Sequence, residues 1–194
     1  MQPPAEHVHW MFATGFLLLA LFLLAEVIAG EEVWRRRKWR RYLWPSFVFL
    51  LGLFMWPVMT FYTNSTIHMV AHSSWAQVMM LAGGAELGLV KGKLRSELWR
   101  FAMPLAFLVS GLAFLLHEQN TWFFQRSSFL HHLLGWTMVV GAVFPLARAF
   151  RPRWAVANAG IALVFVVVAV SLYADRDLAP VFGHLSPLAG EPHR

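Results

Sequence analysis

Between Tyr42 and Ala85 the chain contains no Asp, Glu, Lys or Arg. A run this long with no charge has no side to give to water, so it reads as membrane-embedded rather than as one face of a soluble domain. A helix needs roughly 20 residues to cross the hydrocarbon core, so the run holds two spans, broken by the polar turn Thr63-Asn64-Ser65-Thr66. Apolar stretches of similar length recur on both sides. The whole chain is 58% hydrophobic and only 13% charged, a composition that a soluble domain of this size cannot bury. The expected fold is an all-alpha polytopic integral membrane protein, a six-helix transmembrane bundle with short connections. Its spans are residues 10–29, 42–62, 67–90, 99–117, 129–150 and 154–173. Residues 1–173 make one membrane domain, and 174–194, rich in Pro, Gly and His, an irregular extracytoplasmic tail.

The charges orient this bundle. All but three of the 16 Lys and Arg residues fall in three connections, Arg35 to Arg41, Lys91 to Arg100 and Arg148 to Arg153. Alternating spans put these connections on one side, and the positive-inside rule makes that side cytoplasmic. Both termini are then extracytoplasmic, in the cell membrane, with a bacterial inner or plasma membrane as the expected location. The formal charge of +6 sits between apolar spans rather than along an exposed face. It therefore points to the lipid bilayer as partner, with Arg35 to Arg41 near anionic headgroups, and away from nucleic acid. The first apolar stretch is preceded by Glu6, His7 and His9, not by a basic patch, so it reads as a retained span rather than a signal peptide.

The nine histidines lie at or near the opposite ends of the spans. His68 and His72 are four apart and share a face of span three. His117 closes span four, and His131 and His132 open span five. The last two point about 100° apart on a helix, so only one can face a common centre; His132 is the favoured one because Gly135 follows it. Imidazoles from three helices at one membrane level are candidate metal ligands. Glu118 is a candidate ligand or an anchor for an imidazole N–H. The absence of cysteine excludes thiolate sites, disulfides and c-type haem. The expected site is thus a histidine-rich metal site of His68, His72, His117, His131, His132 and Glu118 at the extracytoplasmic end. Copper is favoured because Met11, Met55, Met59 and Met69 add thioethers nearby, with zinc or b-type haem as alternatives.

Three functions follow from these residues: a membrane metalloprotein handling copper or doing redox chemistry, a haem- or quinone-linked electron-transfer protein, and a non-catalytic assembly subunit or metal chaperone. The aromatic Trp122, Phe123 and Phe124 suit a quinone, and an extracytoplasmic or membrane protein partner fits a metal-handling role. As a small bundle with histidines on several helices, the chain resembles cytochrome b561 and the membrane copper-resistance families in type, with no spacing that carries residues over from either. The sequence does not decide whether the protein is an enzyme, and it contains no phosphate loop, dinucleotide fingerprint or HExxH. Glu26 and Glu86, near the inner ends of spans one and three, are candidate proton or ion ligands but are expected to pair with Lys or Arg or to accept hydrogen bonds as caps. Span six, Trp154 to Tyr173, has no polar side chain through its middle and reads as peripheral scaffold.

Overall fold

The computed structural model describes residues 5–62, 66–116 and 124–174, without the side chains at 5–6, 59–62, 66–69, 71 and 124–128. It is all helix: α1 (Ala5–Ala29), a short α2 (Glu31–Arg35), α3 (Leu43–Tyr62), α4 (Thr66–Val90), α5 (Ala102–Leu116), α6 (Phe124–Gly141), α7 (Val143–Phe150) and α8 (Ala155–Tyr173). Single 3₁₀ turns at Arg40–Tyr42 and Glu97–Phe101 lead into α3 and α5. Among the described residues, five segments are long and apolar enough to cross a membrane: His7–Ala29, Arg40–Val58, Glu97–Leu116, Phe129–Phe150 and Ala155–Tyr173. The chain is an all-alpha, multi-pass membrane protein. Helix α4 matches these in length but carries His72, Ser73, Ser74, Gln77 and Glu86, which lower its hydropathy.

Helix ends follow local chemistry. Gly92, at φ 67°, stops α4, with Lys93 N–H bonded to the Gly88 carbonyl at 2.9 Å and Gly92 N–H to that of Leu89 at 3.0 Å. This pair of bonds is the Schellman motif. The fifth apolar stretch is broken between α6 and α7 at Ala142. Pro145 has no N–H for the Gly141 carbonyl, and its ring crowds that carbonyl, so the helix must open there.

The helices close a ring in which α1 touches α3 and α8, α3 touches α4, α4 touches α5, α5 touches α6, and α6 touches α8. Its centre is aromatic. Phe16 of α1 stacks on Trp75 of α4 at 5.9 Å and on Phe165 of α8 at 5.7 Å. Phe107 of α5 meets Phe165 edge-on at 5.4 Å, and Phe114 meets Trp75 at 4.8 Å. Opposed helices α1 and α4, or α5 and α8, thus meet through rings rather than backbones. Edge and offset ring contacts add stabilisation beyond the area they bury. The outward residues, such as Leu21, Ile28, Leu50, Leu105 and Val140, remain exposed, as a lipid-facing surface requires.

Two crossings depend on the absence of a side chain. A Cβ on Gly83 would lie 2.5 Å from the Phe49 backbone nitrogen, bringing α4 onto α3; one on Gly111 would lie 2.8 Å from the Gly135 carbonyl, bringing α5 onto α6. Span six departs from the peripheral scaffold expected of it. Ala157, Gly160, Ile161, Ala162, Val164, Phe165, Val168 and Ala169 of α8 are all buried, against α1 on one side and α6 and α7 on the other. Its small residues permit that close packing, and Phe165 supplies the central ring.

Candidate functional site

At the end of the bundle that carries His72 and His131, the described residues form no metal centre. Among the described residues, no group of three or more His, Cys, Asp or Glu comes together that could hold a metal ion. This overturns the metalloprotein reading, the copper, zinc and b-type haem assignments, and the electron-transfer and metal-chaperone functions built on them. The physical reason lies in what fills the space. Trp75 sits one turn below His72 on α4 and packs edge-on against Phe114 of α5. His131 leans against the other side of Phe114 at 5.6 Å. Rings therefore occupy the level at which imidazoles from these helices would have to converge. His72 and His131 are half-buried and His132 is exposed, so the inward residue of the pair is His131 and not His132. Gly135 does permit close packing, but against Gly111, which turns His132 away. His117, Glu118 and the aromatic Trp122 and Phe123 lie outside the described residues, as do the side chains of His68, Met59, Met69 and Phe124.

The opposite end of the bundle holds the charged chemistry. Glu86 of α4 is buried and takes a forked pair of hydrogen bonds from Arg148 of α7, Nη1 to Oε1 at 3.0 Å and Nη2 to Oε2 at 2.8 Å. Parallel N–H···O bonds of this kind are the strongest arginine–carboxylate geometry. The Arg148 guanidinium also lies 4.6 Å from the centre of the Trp44 ring, a cation–π contact on the face that the carboxylate leaves open. Glu26 of α1 lies within the electrostatic reach of Arg148, Arg35 and Trp44. Three helices are thereby tied together, α3 through Trp44, α4 through Glu86 and α7 through Arg148, with Glu26 of α1 close by. The expected pairing of Glu86 with a basic residue is what the structure shows.

An open cavity of about 550 Å³ is lined by Arg35, Arg100, Arg151, Pro152, Arg153 and Trp154. Its four arginines come from all three basic connections. Arg35 stands at the end of α2, Arg100 in the turn before α5, and Arg151 and Arg153 between α7 and α8. Two carboxylates hold the arrangement. Glu31 pairs with Arg35 at 2.9 Å and with Arg153 at 3.5 Å, and Glu97 pairs with Arg100. Arg151 has no acidic partner among the described residues and lies 5.9 Å over the Trp154 ring. Four arginines against two carboxylates leave an excess of two positive charges among the residues that line and flank the cavity. Guanidinium forks bind phosphate oxygens in pairs. The sequence shows these arginines as orienting charge; that three separate connections pool them in one cavity is a property of the ring. No protein family, no curated protein and no solved structure matches the chain.

Proposed function

We propose that this chain is a six-span protein of a bacterial plasma membrane, with both termini outside the cytoplasm, that binds a phosphate-type anion at its cytoplasmic face. The observation that carries the reading is the convergence of Arg35, Arg100, Arg151 and Arg153 on one open cavity. The other inputs are consistent with it. Helix α4 is long enough to act as the sixth span, and counting it puts every basic connection on the side that the positive-inside rule makes cytoplasmic. The residues around the cavity are arginine, proline and tryptophan. Arginine keeps its proton throughout the physiological range, and neither proline nor tryptophan is a nucleophile or a general base. Such a lining holds and orients an anion rather than transforming it.

The test is calorimetric titration of the detergent-purified protein with inorganic pyrophosphate. Saturable binding that weakens as salt is raised is the expected result, because screening acts directly on such contacts. In Arg100→Gln/Arg151→Gln, affinity is expected to fall about tenfold or more, since charge-assisted bonds contribute roughly 1.5–3 kcal/mol each. Equal affinity in the wild type and the double variant would defeat the proposal.

A further inference from the structure

The cavity lies at the ends of the membrane-crossing segments. The membrane-crossing segments begin or end at Ala29, Glu97, Phe150 and Ala155, and every lining arginine is within about two helical turns of one of these residues. Trp154, half in the lining and half exposed, has the amphipathic ring typical of the headgroup level. Large apolar side chains flank the lining positions and remain uncovered: Leu98 and Trp99 beside Arg100, Phe150 beside Arg151, and Val156 beyond Trp154. A soluble anion has no use for such an edge. Acyl chains leaving a headgroup would lie against it.

The size and charge narrow the headgroup. The open space of about 550 Å³ is more than one phosphate fills. The two-charge excess left after Glu31 and Glu97 have paired matches two phosphodiesters rather than one. Resting on the reading of this cavity as a phosphate-type site, we infer that its ligand is an anionic glycerophospholipid with two phosphodiesters in one headgroup. The phosphates sit among Arg35, Arg100, Arg151 and Arg153, with the acyl chains in the bilayer. Basic hollows at the cytoplasmic ends of membrane helices suit such headgroups on electrostatic grounds.

The experiment titrates delipidated full-length protein in neutral detergent with diphosphatidylglycerol, phosphatidylglycerol, phosphatidylcholine and inorganic pyrophosphate, reading bound ligand per chain by native mass spectrometry. One diphosphatidylglycerol per chain is expected, bound about tenfold or more tighter than phosphatidylglycerol or pyrophosphate, with phosphatidylcholine not retained. Arg151→Gln breaks no ion pair among the described residues, so it tests the site without loosening the fold, and it should cost about tenfold in affinity for the two-phosphate lipid. Lys93→Gln, on the same face but outside the lining, should change nothing. If Lys93→Gln weakens binding as much as Arg151→Gln, diffuse surface charge is responsible and the inference is overturned. If pyrophosphate binds as tightly as the lipid and Arg151→Gln weakens it, the ligand is a soluble phosphate; the inference fails while the anion-site reading stands. If Arg151→Gln alters the binding of no ligand, both fail.

Discussion

At the scale of single residues, the Glu86–Arg148 pair has the largest energetic stake. Two ions brought into an apolar interior lose hydration worth several kcal/mol each, which their mutual attraction offsets only when the geometry is good. Here it is good: the bonds are forked, at 3.0 and 2.8 Å, and Trp44 covers the guanidinium. The consequence is asymmetric. Removing either partner strands the other as an uncompensated charge inside the bundle. Glu86→Ala and Arg148→Ala are each expected to destabilise by about 3–5 kcal/mol, whereas Glu86→Leu/Arg148→Met, which removes both charges and keeps the volume, should cost much less than the two singles combined. Unfolding in mixed micelles titrated with dodecyl sulfate measures all three. Additive losses would show that each residue acts through other partners. Arg148→Lys should fall between wild type and Arg148→Ala, because an ammonium cannot bridge both carboxylate oxygens.

Among the elements, α4 is the most demanding to place, since it packs on α3 and α5 at once and carries both Glu86 and Trp75. Its adjacent glycines give a sharp comparison. At Gly83 a Cβ would meet the Phe49 backbone at 2.5 Å, and backbone cannot step aside; at Gly84 the nearest atom is 3.8 Å away, on a side chain. Gly83→Ala should therefore destabilise by about 1–3 kcal/mol through overpacking. Gly84→Ala should be neutral or stabilising by up to about 1 kcal/mol, because alanine favours helix. Thermal melting in one detergent compares the pair, and equal shifts would mean that α4 does not lie on α3 in this register. The same contrast shows what the sequence conveys and what it does not. The reach of the long helices was readable, with residues 42–62 and 154–173 falling within a residue of α3 and α8, because bilayer thickness sets the length of an apolar run. Which way a helix faces was not. His132 was favoured over His131, yet the phase of α6 is set by its crossing at Gly111 and Gly135, a contact between helices that local sequence does not encode. Span six looked lipid-like because a helix apolar all round reads the same against lipid as against protein. Its signal was the small residues Ala157, Gly160, Ala162 and Ala169, spaced along the faces that other helices now cover.

On the scale of the whole molecule, the closed ring separates the two ends of the bundle. Phe16, Trp75, Phe107, Phe114 and Phe165 fill its centre, so the polar groups at the two ends are separated by packed rings. The metal reading fails because no three ligands come together among the described residues, and Trp75 and Phe114 pack beside His72 and His131. The arginines succeed for the opposite reason. They stand at the rim, where the ring draws three connections together without having to bury them. A protein that binds a phosphate-type anion from the cytoplasm must have that rim inside, so orientation is a test of the mechanism as well as of the fold. The chain contains no cysteine, so single introduced thiols report sidedness without background. His7→Cys, at the exposed start of α1, should react with a membrane-impermeant maleimide on intact cells. Lys93→Cys, exposed between α4 and α5, should react only after permeabilisation. The reverse pattern would put the arginine cavity outside the cell, against the positive-inside rule that orients the rest of the chain. Labelling of both sites in intact cells would place them on one side, which would require an even number of crossings between α1 and the α4–α5 connection, so that one of α1, α3 and α4 does not span.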